Sequence, residues 1–516
     1  MPTPPRLRAV AVTALAVLLS LSAAGCGDEA KGDDEELTAQ NPSWKKCEAP
    51  SESQGGGTAP SPLPDGDVWQ CATMKAPLDW DEPEGATIPI ALIRARSSGP
   101  EDQRIGSLVF NFGGPGGSGV RALPAFGADY AKLRTRYDLV SFDPRGVGRS
   151  SGVECQDDEE LDEYFQQDGT PDDTAERAEL LDSTKTFNSA CEKNSGKILP
   201  HVRTTDAARD LDLIRQVLGD DKLHYFGISY GTELGGVYAH LFPDNVGRAV
   251  FDAVVDPTQT VEQGTLGQAE GFQLALDNYA RDCVSKVEDC PVGDTEQDVE
   301  NRISKLLDDL DTKPITGIFP RDLTQSAATT GIAQALYSQD FWPYLTAGLE
   351  QAYDGDGRLL MLLSDSMNGR SENGEYSNLA AAHVSINCAD DKPRYTTEDV
   401  EAKLAEFRAA SPVFGEWLAW SLLTCTDWAV AGAADHPDVR APGSAPILVI
   451  GNTGDPATPY EGARRMAEEL GAGVGVELTY KGQGHGAYGS GNACVQTAVD
   501  GYLLTGEVPK AGTVCQ

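Results

Sequence analysis

From about Trp44 the chain runs as short apolar segments separated by amphipathic ones. Ile88, Ile90 and Leu92 recur at every second position, which predicts a strand. Leu108–Phe112 is a continuous apolar run ending in glycines, and Tyr137–Phe142 is a second candidate for a strand buried on both faces. Thr205–Leu218 places Ala208, Leu211, Ile214 and Leu218 at helical spacing. A short run, Leu223–Phe226, precedes a helix-like stretch, Thr232–Phe242, and Ala249–Ala253 is apolar again. Strands alternating with helices predict a mostly parallel sheet covered on both faces, an α/β fold.

Past Pro257 the pattern changes. Residues 261–426 carry helical periodicity without clear buried strands, and Phe341, Trp342, Tyr344, Trp417 and Trp420 add aromatic bulk. This stretch reads as an inserted helical cap. Alternation resumes with a strand at Ile447–Gly451, a helix from Pro459 to Leu470, a strand at Val476–Tyr480 and a last helix around Ala493–Leu503. Asp157–Leu181 is an acidic insertion, read as a surface loop plus a helix. The expected organisation is a core from 44 to 260, a cap from 261 to 426 and the C-terminal part of the core from 427 to 516.

The N-terminus changes the picture of where the protein works. Arg6 and Arg8 precede an uncharged run from Ala9 to Ala24, which is short for a membrane span of roughly 20 residues. A basic start, a short apolar stretch and small residues describe a secretory signal over 1–25. Ala23-Ala24-Gly25-Cys26 resembles a bacterial lipobox, with Ala23 where a leucine is usual, so Cys26 is the expected lipidation site. The arginines are not adjacent, so nothing favours twin-arginine export. Residues 26–43 are acidic and polar, as in a flexible tether.

Cysteine usage agrees with an oxidising compartment. Of 11 cysteines, setting Cys26 aside leaves an even number. They fall in neighbouring pairs, Cys47 and Cys71, Cys155 and Cys191, Cys283 and Cys290, Cys388 and Cys425, Cys494 and Cys515. Five local disulfides are the economical arrangement, although spacing does not determine connectivity. No C-x-x-C or paired-histidine spacing suggests a metal, and none is expected. The formal charge is −39, which becomes −41 without the two arginines of the signal. That balance disfavours nucleic acid and electrostatic binding to anionic lipid, so any membrane contact is expected only through a lipid on Cys26.

The chemistry is carried by Gly227-Ile228-Ser229-Tyr230-Gly231. A strand, a sharp turn and a helix in that order are the setting of a nucleophile elbow, with glycines where a Cβ would clash. A serine hydroxyl needs a base to take its proton, and the base needs a carboxylate to orient it. Only two histidines follow the cap. His485, in a glycine-rich loop after a strand, is the expected base; His436, before the last strands, is the alternative. Asp455 follows the Ile447–Ile450 strand at its carboxyl end, where α/β sheets place their chemistry, and is the expected partner. It could otherwise serve an Asx turn or helix cap, and Asp435 is the runner-up. Asn111-Phe112-Gly113-Gly114-Pro115-Gly116-Gly117 follows an early strand, where hydrolases supply an oxyanion-hole donor. The N–H groups of Gly114 and Tyr230 are assigned that role. The glycine loop matches neither phosphate-binding pattern.

These motifs resemble those of the tripeptidyl aminopeptidase branch of the proline iminopeptidase-like serine peptidases, which are α/β-hydrolases. Gly113-Gly114-Pro115-Gly116 corresponds to that group's oxyanion motif, with Phe112 where its histidine usually sits. Asp143-Pro144-Arg145-Gly146-Val147-Gly148-Arg149-Ser150 resembles its D-x-R-G-x-G-x-S turn, whose role is mainly structural. Gly227–Thr232, Asp455–Pro459 and Gly484–Gly486 match its elbow and its late Asp and His motifs. The resemblance implies release of short peptides, tripeptides among them, from free N-termini without a cofactor. A substrate ammonium then needs a carboxylate partner. Ser385–Asp391 resembles a cap motif of this branch, and Asp390 is nominated, with a solvated surface pair with Asp391 as the alternative. A carboxylesterase on the same fold and a non-catalytic peptide-binding lipoprotein are the competing readings.

Overall fold

The apolar runs assemble into one ten-stranded sheet: β1 (Lys45–Lys46), β2 (Gln70–Pro77), β3 (Thr87–Ala95), β4 (Gly106–Asn111), β5 (Tyr137–Phe142), β6 (Leu223–Ser229), β7 (Val246–Val254), β8 (Ile447–Gly454), β9 (Gly475–Gln483) and β10 (Thr513–Cys515). The spatial order is β1-β2-β3-β5-β4-β6-β7-β8-β9-β10. The first three pairings are antiparallel and all later ones parallel. The computed structural model describes residues 37–286 and 290–516, so the signal segment, Cys26 and most of the tether lie outside it. The last tether residues are bound: Gln40 Nε2 donates to the Lys75 carbonyl at 2.8 Å, and Lys75 N–H donates back to Gln40 Oε1 at 2.7 Å.

Both faces of the sheet are buried, as the continuous apolar runs require. On β3, Ile88, Ile90 and Leu92 enter one core and Ala91, Ile93 and Ala95 the other. Helices α1 (Gly119–Phe126), α2 (Thr204–Val217), α3 (Tyr230–Leu241), α4 (Leu379–Asp390), α5 (Glu461–Leu470) and α6 (Ala493–Thr505) cover it. Leu211 of α2, Leu234 of α3 and Met466 of α5 pack on one face. Leu123 of α1 and Val499 of α6 pack on the other. The predicted strands and helices all form, with ends displaced by one to three residues in most cases. β1, β2 and β10 were not anticipated, being very short or interrupted by polar residues.

The chain leaves the sheet at the carboxyl end of β7, where Val254 is in register with Ser229 of β6. The insertion that follows is helical, and its own apolar core includes Phe272, Leu307, Ile332, Leu345, Phe407 and Trp420. It also contains a two-residue ribbon, Ile315–Thr316 against Asp322–Leu323. Helix α4 behaves differently from its neighbours: Ala382, Ile386 and Cys388 join the core of the sheet rather than that of the insertion. The acidic stretch after Asp157 is two helices, Asp158–Gln166 and Thr174–Ser195, which bury Leu161 and Phe187. All five neighbouring cysteine pairs are bonded.

The turn after β5 ties these parts together. Asp143, fully buried, accepts from Ser118 Oγ at 2.6 Å and Val120 N at 3.2 Å at the start of α1, and from Gln54 Nε2 at 2.6 Å. Arg145, equally buried, forms a two-pronged pair with Asp210 of α2 (Nε to Oδ2 2.7 Å, Nη2 to Oδ1 2.6 Å). Its remaining N–H groups reach the carbonyls of Pro77, Leu78 and His201. Removing one partner of such a pair strands a charge. Arg145→Met is therefore expected to lower unfolding free energy by about 3–5 kcal/mol in urea titration, and Arg145→Met with Asp210→Leu to recover much of it.

Candidate active site

Ser229 ends β6 and precedes α3 with φ 59° and ψ −129°, a conformation L-residues avoid. The flanking glycines make it possible. A Cβ on Gly227 would stand 2.3 Å from the Gly231 carbonyl oxygen, and one on Gly231 would stand 2.4 Å from that of Asn111. The turn is fastened by Tyr225 Oη donating to the Gly231 carbonyl at 2.7 Å and Thr232 Oγ1 donating to the Ser229 carbonyl at 2.7 Å. Thr232 Oγ1 in turn accepts from Val255 N at 3.1 Å, which links the elbow to the start of the insertion.

The glycine loop after β4 lies against this turn. A Cβ on Gly113 would stand 2.8 Å from Ser229 Cβ and 3.2 Å from Tyr230 N. Gly113 N–H is committed to Asn111 Oδ1 at 3.0 Å. Gly114 N–H has no protein acceptor among the described residues. Tyr230 N–H, at the first position of α3, has no acceptor within its own helix. The glycine loop thus meets the elbow through Gly113, next to Gly114 in sequence and close to Tyr230 N. Helix α4 braces the far side of the loop: a Cβ on Gly116 would stand 2.8 Å from the Leu379 carbonyl oxygen.

Asp455 follows β8 and is 2% exposed. Its Oδ1 accepts from Ala457 N at 3.0 Å and Thr458 N at 2.9 Å, so it does make an Asx-type turn. The same carboxylate meets His485 Nδ1 at 2.8 Å and 3.1 Å through its two oxygens. The two readings of Asp455 were not exclusive: the turn aims the carboxylate that holds the ring. Thr458 Oγ1 lies 3.4 Å from the same nitrogen. His485 sits between Gly484 (φ +88°) and Gly486 (φ +96°), so its loop bends sharply on both sides. Burial pushes the imidazole pKa down, but the charge and hydrogen bond of Asp455 and the charge of Asp252 outweigh it, and the net shift is upward.

Asp252 was not anticipated. It lies near the end of β7 and is buried, with its carboxyl raised mainly by that burial. It accepts from Ala487 N at 2.9 Å and Tyr488 N at 2.9 Å and so anchors the loop that carries His485. The available signal was an aspartate inside an otherwise apolar strand. His436 and Asp435, the alternatives, are both exposed. His436 Nδ1 faces the carbonyl of the adjacent Pro437 at 3.3 Å.

Asp390, at the end of α4, accepts from Thr204 N at 3.0 and 3.1 Å and from Thr204 Oγ1 at 2.7 Å. Thr204 Oγ1 also shares a hydrogen bond with Tyr230 Oη at 2.6 Å, so a short chain joins Asp390 to the elbow. Burial raises Asp390 to about 7 despite those bonds. Glu233, one turn into α3, is raised to about 8 by burial and by the charges of Asp390 and Asp391. The solvated pair with Asp391 is not what forms: Asp390 is turned inward onto the start of α2.

Residues 411–515 match the family described as TAP-like protein. The serine protease Hip1 of Mycobacterium tuberculosis is 37% identical over 86% of this chain and 87% of its own length. A tripeptidyl aminopeptidase of Streptomyces lividans is 32% identical over 92% of this chain and 86% of its own. Carboxylesterase B of Mycobacterium tuberculosis is 36% identical over 86% of each. The elbow, the late acid–histidine pair and these relatives together make the chain a serine hydrolase of the tripeptidyl aminopeptidase-like family within the α/β-hydrolases.

Proposed function

We propose that the protein is an exported serine exopeptidase, held at the cell surface by a lipid on Cys26, that releases short peptides, tripeptides among them, from free N-termini. The observations that carry the peptidase chemistry are the buried Asp455–His485 hydrogen bond of 2.8 Å and a serine held at φ 59° at the strand-to-helix turn. In this reading Ser229 attacks the scissile carbonyl and His485 takes its proton, later returning it to the departing amine. Asp455 keeps the imidazole in the tautomer whose Nε2 accepts, and stabilises the imidazolium. The N–H groups of Gly114 and Tyr230 receive the oxyanion, each worth about 3 kcal/mol in comparable sites. Asp390 supports the exopeptidase part. A carboxyl raised to about 7 by burial gains from an incoming ammonium, which would draw it into its charged form. It is joined to Tyr230 through one threonine hydroxyl. Carboxylesterase B among the relatives keeps ester hydrolysis as the second reading.

Ser229→Ala is expected to lose at least about 10³-fold in kcat on a tripeptide chromogenic amide. Because His485 must be neutral to act as base, activity should fall as pH drops through its raised pKa. In Asp455→Asn the acid limb should move to lower pH, with kcat reduced on the order of 10⁴-fold, as a pH–rate series would read. The free-amine tripeptide amide should be cleaved far faster than its N-acetylated twin. Equal rates, or turnover of simple esters alone, would favour the esterase reading and remove Asp390 from the site.

A further inference from the structure

The His485 loop is gripped from two sides. From the sheet, Asp252 holds Ala487 and Tyr488, Asn452 Nδ2 donates to the Gly484 carbonyl at 2.5 Å, and Gly484 N–H donates to the Gly454 carbonyl at 3.2 Å. From the helical insertion, Asn278 Nδ2 donates to Gln483 Oε1 at 2.8 Å, and the histidine itself is met by Tyr337, which follows the helix Gln325–Leu336. Its carbonyl accepts the His485 N–H at 2.7 Å. Its ring stands edge-on to the imidazole, with centroids 5.2 Å apart at 81°. The approach is close enough that a Cβ on Gly484 would lie 2.9 Å from the Tyr337 carbonyl oxygen. The same ring packs on Phe272, and Phe272 on Phe414, at 5.8 and 5.4 Å, so Tyr337 is fixed to the insertion's own core.

We propose that Tyr337 is a positioning residue for His485, through which the helical insertion sets the orientation of the base. The proposal rests on the reading of His485 as that base. The imidazole is held at Nδ1 by both oxygens of Asp455, with Thr458 Oγ1 at 3.4 Å, but contacts at a single ring nitrogen leave the ring free to swing about it. The Tyr337 ring closes the open flank, and its carbonyl fixes the backbone from which the imidazole projects. The contact is aromatic and apolar rather than ionic. The titratable groups facing His485 are Asp455 and Asp252 from the sheet and Tyr337 itself from the insertion. A misplacement of about 1 Å at a reacting group can cost on the order of 10²-fold in rate. Tyr337 also shields the imidazole from water, and its loss should make protonation easier.

The test compares Tyr337→Phe, Tyr337→Ala and His485→Ala with the parent in the full chain, on the tripeptide amide. Tyr337→Ala is expected to lose on the order of 10²-fold in kcat with little change in KM, and its acid limb should shift to higher pH. Tyr337→Phe, which keeps the ring, should restore both. In the proton spectrum, the low-field His485 Nδ1 resonance should broaden or vanish in the alanine variant and persist in the phenylalanine variant. Parent-like kcat and pH profile in a folded Tyr337→Ala would overturn the proposal. So would equal losses in the alanine and phenylalanine variants, which would point to the hydroxyl instead. If Tyr337→Ala does not fold, Tyr337→Leu serves, with the same comparisons. An active His485→Ala would sink the reading of the base itself, whereas an inactive one with a normal Tyr337→Ala would sink only this proposal.

Discussion

The molecule is organised around one backbone constraint, a serine forced into a left-handed conformation at the end of a buried parallel strand. Such a residue costs of order 1–3 kcal/mol and persists only where its surroundings over-determine it. Here they do. Gly227 and Gly231 remove the Cβ atoms that would prevent the turn, and Tyr225 and Thr232 hold it by hydrogen bonds. Gly113 lets a second loop approach within contact of the serine. The turn after β5 then fixes that loop from behind through Asp143 and Ser118. Each of these residues is explained by the need to keep Ser229 where it is.

The other half of the site follows a different logic. The histidine loop is flexible by composition, with glycines at 482, 484 and 486. Its order comes from buried carboxylates rather than from packing alone. Asp455 addresses the ring and Asp252 the backbone beyond it, and both stand at the carboxyl ends of neighbouring strands, β8 and β7. Their charges overcome the burial that would otherwise favour neutral imidazole too strongly. One carboxylate thus orients the imidazole and a second holds its loop.

Much of this was legible in the chain because the strongest signals are local. The strands β4 to β9 read as apolar runs, and the elbow, the Asp455 turn and the His485 loop each occupy a few consecutive residues. What was missed is non-local. Asp252 looked like an interruption in an apolar strand, and its purpose appears only when Ala487 and Tyr488 come to it across 235 residues of sequence. Strand β2 was hidden because Thr73 and Lys75 sit on its more exposed face, and β10 because three residues carry no period. Helix α4 read as part of the insertion by periodicity, yet it packs on the sheet, since helical spacing says which face is apolar but not what will cover it. Asp390 illustrates the same limit: its acidic neighbours suggested a surface, and its partner Thr204 lies 186 positions away.

The disulfides have a consequence for how the protein is made. The bonded pairs join cysteines separated by 7 to 37 residues, and no bond spans another. A chain emerging N-terminus first therefore presents both members of each pair before the next pair begins. Short loops also close at the least entropic cost. Order of appearance and ease of closure favour the same partners, so the pairing is written into the direction of synthesis. Upstream of all ten stands a single cysteine that could interfere, Cys26.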